Sequence, residues 1–196
     1  MINLYNKDCM EALKEMEDNQ FDLSIVDPPY GTKYKTIKNW DFIPSKEYFM
    51  ELFRTSKNQI IWGGNFFGKY LGATTCPIIW DKENGESFTS DGEFAWCSFN
   101  KNQLRIYRQF WFSNMMKKEE KPIIHPTQKP IKLYEWLLMN YAKEGDKILD
   151  THLGSGSIAI ACHNLKYDLE GYELDKEYFE AAIKRLEQHQ AQKRLF

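Results

Sequence analysis

The sequence predicts an α/β fold built on a doubly wound, mostly parallel sheet. Short apolar runs that are typical of buried strands alternate along the chain with segments of helical periodicity. Acidic residues stand at the carboxyl ends of several of these runs, and that edge of such a sheet is where ligands bind. A chain of 196 residues is long enough for one sizeable core, so we expect a single domain over residues 1–196.

The first half of the chain begins with a strand and then alternates helices with apolar runs. The run at residues 21–26 ends at Asp27-Pro28-Pro29, because two prolines cannot donate to the hydrogen-bond ladder of a central strand. Ser45 is a suitable N-cap, so the periodic segment after it predicts a helix. We expect strands at residues 2–5, 21–26, 59–62, 78–80 and 94–99, and helices at residues 9–17 and 45–55.

The second half opens with a segment that has no clear period. Residues 101–124 are basic and aromatic, and we expect them to form a small inserted segment that recognises the target. A strongly apolar helix at residues 131–141 follows. We expect further strands at residues 147–150 and 169–173, and further helices at residues 157–164 and 178–188.

Four carboxylates stand at the carboxyl ends of predicted strands. They are Asp8, Asp27, Asp150 and Glu173. Because the carboxyl ends of parallel strands meet at one edge of a sheet, we expect these four side chains to converge on one rim.

Composition excludes several classes of protein. A net charge of −2 argues against a chain that is basic throughout, although a local basic face suffices for nucleic acid. The four cysteines have no metal-ligand spacing, so we expect no metal and a reducing, cytoplasmic setting. Residues 1–8 are too polar for a signal peptide, and no apolar run has the length of a membrane span.

The segment from Asp150 to Gly156 reads as a strand, a glycine turn and the start of a helix. Glycines let the backbone approach a ligand closely, but many such turns use Gly-x-Gly only to turn. Glu173 ends the next strand, where an acidic residue can bind ribose hydroxyls; the alternative is a solvated strand end. Since a third glycine is lacking, a ribose-containing cofactor without phosphate fits better, namely S-adenosylmethionine.

Asp27-Pro28-Pro29-Tyr30 has the chemistry needed to methylate an exocyclic amine. Such an amine is a poor nucleophile because its lone pair is delocalised into the ring. The Asp27 carboxylate and the Pro28 carbonyl can accept its hydrogen bonds and offset the developing positive charge. Two prolines keep the turn rigid, and Tyr30 offers a flat face to a flipped base. The alternative is a tight surface turn. Methylation of a cytosine ring carbon usually needs Cys after Pro, whereas Cys76 precedes Pro77.

The order of these motifs resembles the amino-methylating DNA methyltransferases of the beta arrangement, in which the catalytic half precedes the cofactor half. Trp80-Asp81-Lys82 also resembles a motif of that family. The matching motifs are Asp8-Cys9, Asp27 to Tyr30, His125-Pro126-Thr127-Gln128-Lys129-Pro130, Gly154-Ser155-Gly156 and Glu173. The resemblance implies a Rossmann-like methyltransferase fold with permuted motif order, S-adenosylmethionine as cofactor, and the N6 amine of adenine in double-stranded DNA as acceptor.

The resemblance also implies roles for individual residues. Asp27 to Tyr30 would be catalytic, and Glu173 would bind the ribose. The residues expected around the cofactor are Asp8, Cys9, Asp27, Thr127, Gln128, Lys129, Asp150, Thr151, His152, Gly154, Ser155, Gly156, Glu173 and Leu174. This chain departs from the family in having Asp150-Thr151-His152 where Asp-Pro-Phe is usual, a form similar to that of phage-borne members.

Basic residues near the motifs suggest where DNA lies. We expect Lys33, Lys35, Arg105 and Arg108 to contact it, within a basic and aromatic cluster that continues to Lys121. Residues 101–124 leave little room for a recognition domain. We therefore expect the recognised DNA sequence to be short or loosely specific, or a second subunit to contribute to recognition. We also expect a homodimer.

Several alternatives remain open. They are the N4 amine of cytosine, for which Ser in place of Asp27 is more typical, RNA or a protein glutamine as the acceptor, and a non-catalytic relative that binds DNA.

Overall fold

One sheet organises the part of the chain that the structure describes, which is residues 1–31, 41–85, 90–111 and 122–192 of a computed structural model. Its strands are β1 (Ile2–Tyr5), β2 (Phe21–Val26), β3 (Ser56–Trp62), β4 (Ile78–Asp81), β5 (Gly92–Cys97), β6 (Arg105–Arg108), β7 (Lys147–Asp150) and β8 (Asp168–Tyr172). Its helices are α1 (Cys9–Glu15), α2 (Lys46–Thr55), α3 (Gly68–Leu71), α4 (Ile131–Tyr141), α5 (Ser157–Leu165) and α6 (Lys176–Ala191).

The order of strands across the sheet is β1-β8-β7-β2-β3-β5-β4-β6. The five strands from β1 to β3 are parallel to one another. Strand β5 runs antiparallel to both β3 and β4, and β6 pairs in parallel with β4 at the far edge. The predicted α/β class and the mostly parallel sheet are therefore confirmed.

Helices cover both faces of the sheet, because apolar side chains of the central strands alternate in direction. Ile60 and Trp62 of β3 belong to the core under α4, α5 and α6. Ile61 between them belongs to the core on the other face, under α1 and α2. Burial on both faces is the reason that the central strands read as continuous apolar runs.

The helix caps follow the sequence closely. The Ser45 hydroxyl accepts the Tyr48 N–H at 3.3 Å at the start of α2, as predicted. Helix α1 ends at Glu15, two residues before the predicted limit. Helix α6 begins at Lys176, earlier than predicted, because the Asp175 carboxylate caps it by accepting the amides of Glu177 and Tyr178.

Part of residues 101–124, in which the sequence shows no clear period, is a strand. Arg105–Arg108 forms β6, an edge strand whose side chains are largely exposed. Such a strand has no apolar stripe, because charged side chains protect a free sheet edge from pairing with another chain. Residues 112–121 of the segment lie outside the described residues.

None of the helices in the described ranges is both long and apolar enough to cross a membrane.

Candidate active site

The four carboxylates at strand ends lie on one edge of the sheet, as predicted. Asp8 follows β1 and caps α1, where its side chain accepts the Met10 N–H at 2.7 Å. Asp27 follows β2, Asp150 ends β7 and Glu173 follows β8. These four strands are neighbours and parallel, so their carboxyl ends share one rim.

Glu173 is tied to the glycine turn and is not merely a solvated strand end. One oxygen accepts the Gly154 N–H at 2.8 Å, and the other accepts the Asp175 N–H at 2.9 Å. Gly154 and Gly156 both have positive φ, 52° and 70°, which favours glycine. Burial raises the pKa of Glu173, and the backbone amides oppose that effect. Each carboxylate oxygen keeps a further lone pair for another donor.

A buried hydrogen-bond chain holds the turn in which the family's usual proline is missing. The Thr151 hydroxyl lies 2.7 Å from the Tyr48 hydroxyl and 2.9 Å from His152 Nδ1. The His152 ring also packs edge-on against Tyr48, with centroids 5.4 Å apart. Burial lowers the pKa of His152 to about 4, so the ring is neutral at pH 7. Tyr48, which the sequence did not single out, thus helps to fix this turn.

Asp150 is buried at the end of β7. Its carboxyl accepts the His152 N–H at 3.0 Å. Burial raises the pKa of Asp150 to about 8, with contributions from Asp27 and Glu173. Around neutral pH this carboxyl therefore carries a proton in the ligand-free protein.

Three further residues expected around the cofactor are Ser155 in the glycine turn, Cys9 in α1 and Leu174. Arg185 of α6, which is buried, donates to the Ser155 carbonyl at 3.0 Å and to the Ser157 hydroxyl at 2.8 Å. Burial raises the pKa of Cys9 to about 12, so its thiol stays protonated. Leu174 is exposed beside Glu173.

The carboxylate of Asp27 has a partner on each oxygen. The Tyr30 hydroxyl donates to Oδ1 at 2.5 Å, and the Lys129 ammonium donates to Oδ2 at 2.5 Å. Lys129 is almost fully buried, with 2% of its side chain exposed. Burial raises the pKa of Asp27, although the charge of Lys129 opposes it. Burial also raises the pKa of Tyr30, so its hydroxyl remains a donor.

Two charged residues that the sequence did not assign to the site extend this pair. Glu93 on β5 lies 2.9 Å from Lys129 Nζ, and Lys82 lies 2.8 Å from the other oxygen of Glu93. Burial acts to raise the pKa of Glu93, but the two ammonium groups outweigh burial and hold that pKa at about 2. The Trp80-Asp81-Lys82 motif was the only sequence signal for this part of the site.

Another ring covers one face of Tyr30, the side chain on which a flipped base is expected to stack. Phe66 is stacked on the Tyr30 ring at 5.0 Å with an interplanar angle of 16°. Phe67 packs against the ring edge at 6.0 Å. Gly63 lies so close that a Cβ there would collide with the ring. A base that stacks on this face of Tyr30 would have to displace the exposed Phe66.

Successive side chains of the loop before α4 point in different directions. Thr127 is exposed and its hydroxyl lies 3.1 Å from His125 Nδ1. Gln128 is buried and accepts the Ile124 N–H at 3.2 Å, so it shapes the loop. Lys129 turns to Asp27, so the three residues, which the resemblance placed around the cofactor, have different contacts.

Of the four residues expected to contact DNA, two lie in the part of the chain that the structure describes. Arg105 donates to the Asn140 side chain at 3.2 Å, and Arg108 lies 3.4 Å from the Asp81 carboxylate. Both are exposed on β6, which three strands separate from β2. Lys33 and Lys35 lie outside the described residues.

Comparison with known proteins identifies the family of the chain. A family model described as DNA methylase, for the N6 and N4 enzymes, matches residues 57–184. The chain belongs to the N6/N4 DNA methylases. S-adenosylmethionine is the methyl donor of this family, as the sequence predicted.

Curated relatives of this DNA methylase include two type II methyltransferases. M.HpaI from Haemophilus parainfluenzae is 29% identical over 91% of this chain and 72% of its own length. M2.DpnII from Streptococcus pneumoniae is 32% identical over 66% of this chain. The chain spans half the length of M2.DpnII.

Two solved structures show the same fold. The complex of M1.HpyAVI with S-adenosylmethionine has a TM-score of 0.67 and 26% identity, and the match covers 95% of this chain and 99% of that chain. The cytosine-N4-specific PvuII DNA methyltransferase has a TM-score of 0.68 at 13% identity, over 94% of this chain and 86% of that chain. The second likeness shows the fold alone.

The contact between Gly63 and Tyr30 generates a first prediction. Gly63→Ala places a Cβ in the Tyr30 ring and should displace Tyr30 from Asp27, with a lower Tm than wild type. Gly145→Ala is the matched control, because Gly145 also has positive φ but open space around it. Thermal unfolding of both variants and a crystal structure of Gly63→Ala would test this. An equal loss of Tm in the two variants would contradict a specific clash.

The protonated Asp150 generates a second prediction. Its folded pKa of about 8 exceeds the ordinary unfolded value, so rising pH should destabilise the wild type between about pH 4 and pH 8. The maximal slope is about 1.4 kcal/mol per pH unit. Asp150→Asn keeps the acceptor oxygen and should remove this slope. Urea unfolding at several pH values, with the exposed Asp18→Asn as control, would measure it; parallel curves for wild type and Asp150→Asn would refute it.

Proposed function

We propose that this chain transfers the methyl group of S-adenosylmethionine to the N6 amine of adenine in double-stranded DNA. The observation that carries the proposal is the Asp27 carboxylate, which is ordered by Tyr30 and Lys129 on the rim that also holds Asp150 and Glu173. The motif order and the family of the chain support the same reaction.

The residues of the rim fit the proposed cofactor. Glu173 is anchored by backbone amides and retains lone pairs that can accept ribose hydroxyls. Carboxylates attract a sulfonium and repel a phosphate, so this donor set suits a ribose-containing cation better than a dinucleotide. Gly154 and Gly156 would allow close approach of the backbone, and Asp8, Cys9 and Leu174 border the same rim. The cofactor supplies the activated methyl group.

The catalytic work of the chain is positioning and electrostatic stabilisation. Asp27 and the Pro28 carbonyl accept hydrogen bonds from the target amine and direct its lone pair away from the ring. Pro29 keeps residue 28 out of helical geometry, so the carbonyl is preorganised. As the nitrogen becomes positively charged, the Asp27 carboxylate stabilises it and can then accept the released proton.

Adenine is the acceptor that residue 27 favours. The related enzymes that modify the N4 amine of cytosine typically have Ser at this position, whereas this chain has Asp27. Cytosine N4 nevertheless uses similar chemistry, and the family and the fold include both kinds of enzyme. Mass spectrometry of nucleosides from treated DNA separates the two acceptors, because N6-methyladenine and N4-methylcytosine differ in mass.

Four basic residues are proposed to contact DNA. Lys33, Lys35, Arg105 and Arg108 would contact phosphates, and residues 101–124 would act as a small recognition segment inserted in a single domain over residues 1–196. A homodimer would supply a second copy of this surface. A loss of DNA affinity in an Arg105→Ala, Arg108→Ala double variant, with cofactor affinity unchanged, would support this role of β6.

Asp27→Asn is the decisive test of the catalytic assignment. The amide presents one acceptor and a donor instead of a carboxylate, so kcat should fall at least about 100-fold while the Kd for S-adenosylmethionine changes little. Labelled methyl transfer to plasmid DNA and calorimetry of cofactor binding would measure both. Asp22→Asn is a matched control on the same strand, away from the rim.

Three outcomes would contradict the proposal. Full activity of Asp27→Asn would remove Asp27 from the reaction. Exclusive formation of N4-methylcytosine would overturn adenine as the acceptor. A wild-type protein that binds no S-adenosylmethionine by calorimetry would indicate a non-catalytic relative.

A further inference from the structure

Lys129 lies between two carboxylates that come from different parts of the sheet. Its ammonium donates to Asp27 at 2.5 Å and lies 2.9 Å from Glu93. Lys82 completes a chain of alternating charges, Lys82–Glu93–Lys129–Asp27. At most about a fifth of any of these four side chains is exposed.

The proposed reaction creates a conflict at Asp27. The target amine needs an acceptor oxygen, and each oxygen of Asp27 already accepts one short hydrogen bond, from Tyr30 or from Lys129, so the amine competes with the Lys129 ammonium for the charge of Asp27. A buried ammonium that gives up its partner is strongly destabilised unless another carboxylate receives it. Water is not an adequate substitute at 2% exposure.

Glu93 is placed to receive the ammonium. Its Oε2 atom is buried and has no aligned hydrogen bond, although Lys129 Nζ is already within 2.9 Å. Its Oε1 atom is held by Lys82 at 2.8 Å, so the carboxylate stays ionised and oriented. A small movement of the Lys129 head group would turn the existing ion pair into a hydrogen bond.

We propose that Glu93 is a positioning residue that takes Lys129 from Asp27 when the target amine binds. The inference rests on the proposed methyl transfer and deepens it, because it assigns the step that frees Asp27. Lys82 keeps Glu93 in place throughout. Glu93 itself does not touch the base.

The charged groups around Asp27 determine what the loss of Glu93 would do. The groups that face Asp27 are Lys129, Glu93, Tyr30, Tyr48, Tyr134 and Asp150. Burial raises the pKa of the three tyrosines, and Asp150 is protonated near neutral pH, so Lys129 and Glu93 are the charges that matter. Without the charge of Glu93, Lys129 would bind Asp27 alone and more tightly, and the pKa of Asp27 would fall.

Glu93→Gln tests the exchange in two ways. We expect kcat to fall at least about ten-fold with little change in the Kd for S-adenosylmethionine, and the acid limb of the kcat–pH profile to move to lower pH. We also expect a ¹³C NMR titration of the ligand-free protein to show a lower pKa for the Asp27 carboxyl carbon, assigned with Asp27→Asn. The exposed Glu47→Gln is the control and should leave every reading unchanged.

A second variant separates positioning from folding. Lys82→Met with Glu93→Gln removes both outer charges, so it leaves no unpaired ammonium at residue 82. It should be more stable than Glu93→Gln alone yet keep the low kcat and the lowered acid limb. If kcat recovers with stability, Glu93 is only structural and the proposal is overturned.

The remaining outcomes also discriminate. A loss of kcat in Glu93→Gln without movement of the acid limb or of the Asp27 titration would overturn the exchange. Normal kcat in that variant would do the same. If the wild type methylates no DNA but the Asp27 titration still moves in Glu93→Gln, the proposed function fails while the coupling of Glu93 to Asp27 is supported.

Discussion

The buried ammonium of Lys129 joins the two halves of the molecule. Lys129 immediately precedes Pro130, the N-cap of α4, and its ammonium donates a hydrogen bond to Asp27, which follows β2. The elements from α4 to α6 follow this point in the chain, whereas Asp8 and Cys9, which border the same proposed cofactor rim, precede it. A buried ion pair adds little net stability, because desolvation offsets its attraction, but breaking it is costly. Its effect here is to fix where the second half of the chain meets the catalytic turn.

The rim of carboxylates was predictable because it depends only on local patterns and one topological rule. Apolar runs locate the strands, and parallel strands place their carboxyl ends together. The same logic predicted the glycine turn and the position of Glu173. Edge strand β6 was not predictable in this way, because Arg105–Arg108 shows neither an alternation of polar and apolar residues nor a buried side chain. Its structure depends on pairing with β4, in which each partner residue lies 27 positions earlier in the sequence.

The side-chain partners within the site were the least predictable feature. Lys129 and Asp27 are 102 residues apart, and Tyr48 and Thr151 are 103 apart. Adjacent residues also diverge, since Gln128 shapes its own loop while Lys129 reaches the catalytic carboxylate. The missing proline at Thr151 shows the same limit. A turn without proline is expected to be looser, but here the Thr151 side chain is held by hydrogen bonds with Tyr48 and His152.

The side chains of the proposed active site contact one another, and these contacts constrain what can enter. Tyr30 is covered by Phe66, and Asp27 is capped by Tyr30 and Lys129. Under the proposed function, a base that enters would have to meet two requirements: a ring that can take the place of Phe66 on Tyr30, and a hydrogen-bond donor for Asp27. An exocyclic amine meets the second requirement. A carbonyl at that position would face the carboxylate with no proton between them, and a buried unpaired acceptor is costly. Under the proposed methyl transfer, the contacts of Asp27 would therefore disfavour thymine and guanine oxygens, before any contact that reads the sequence around the base.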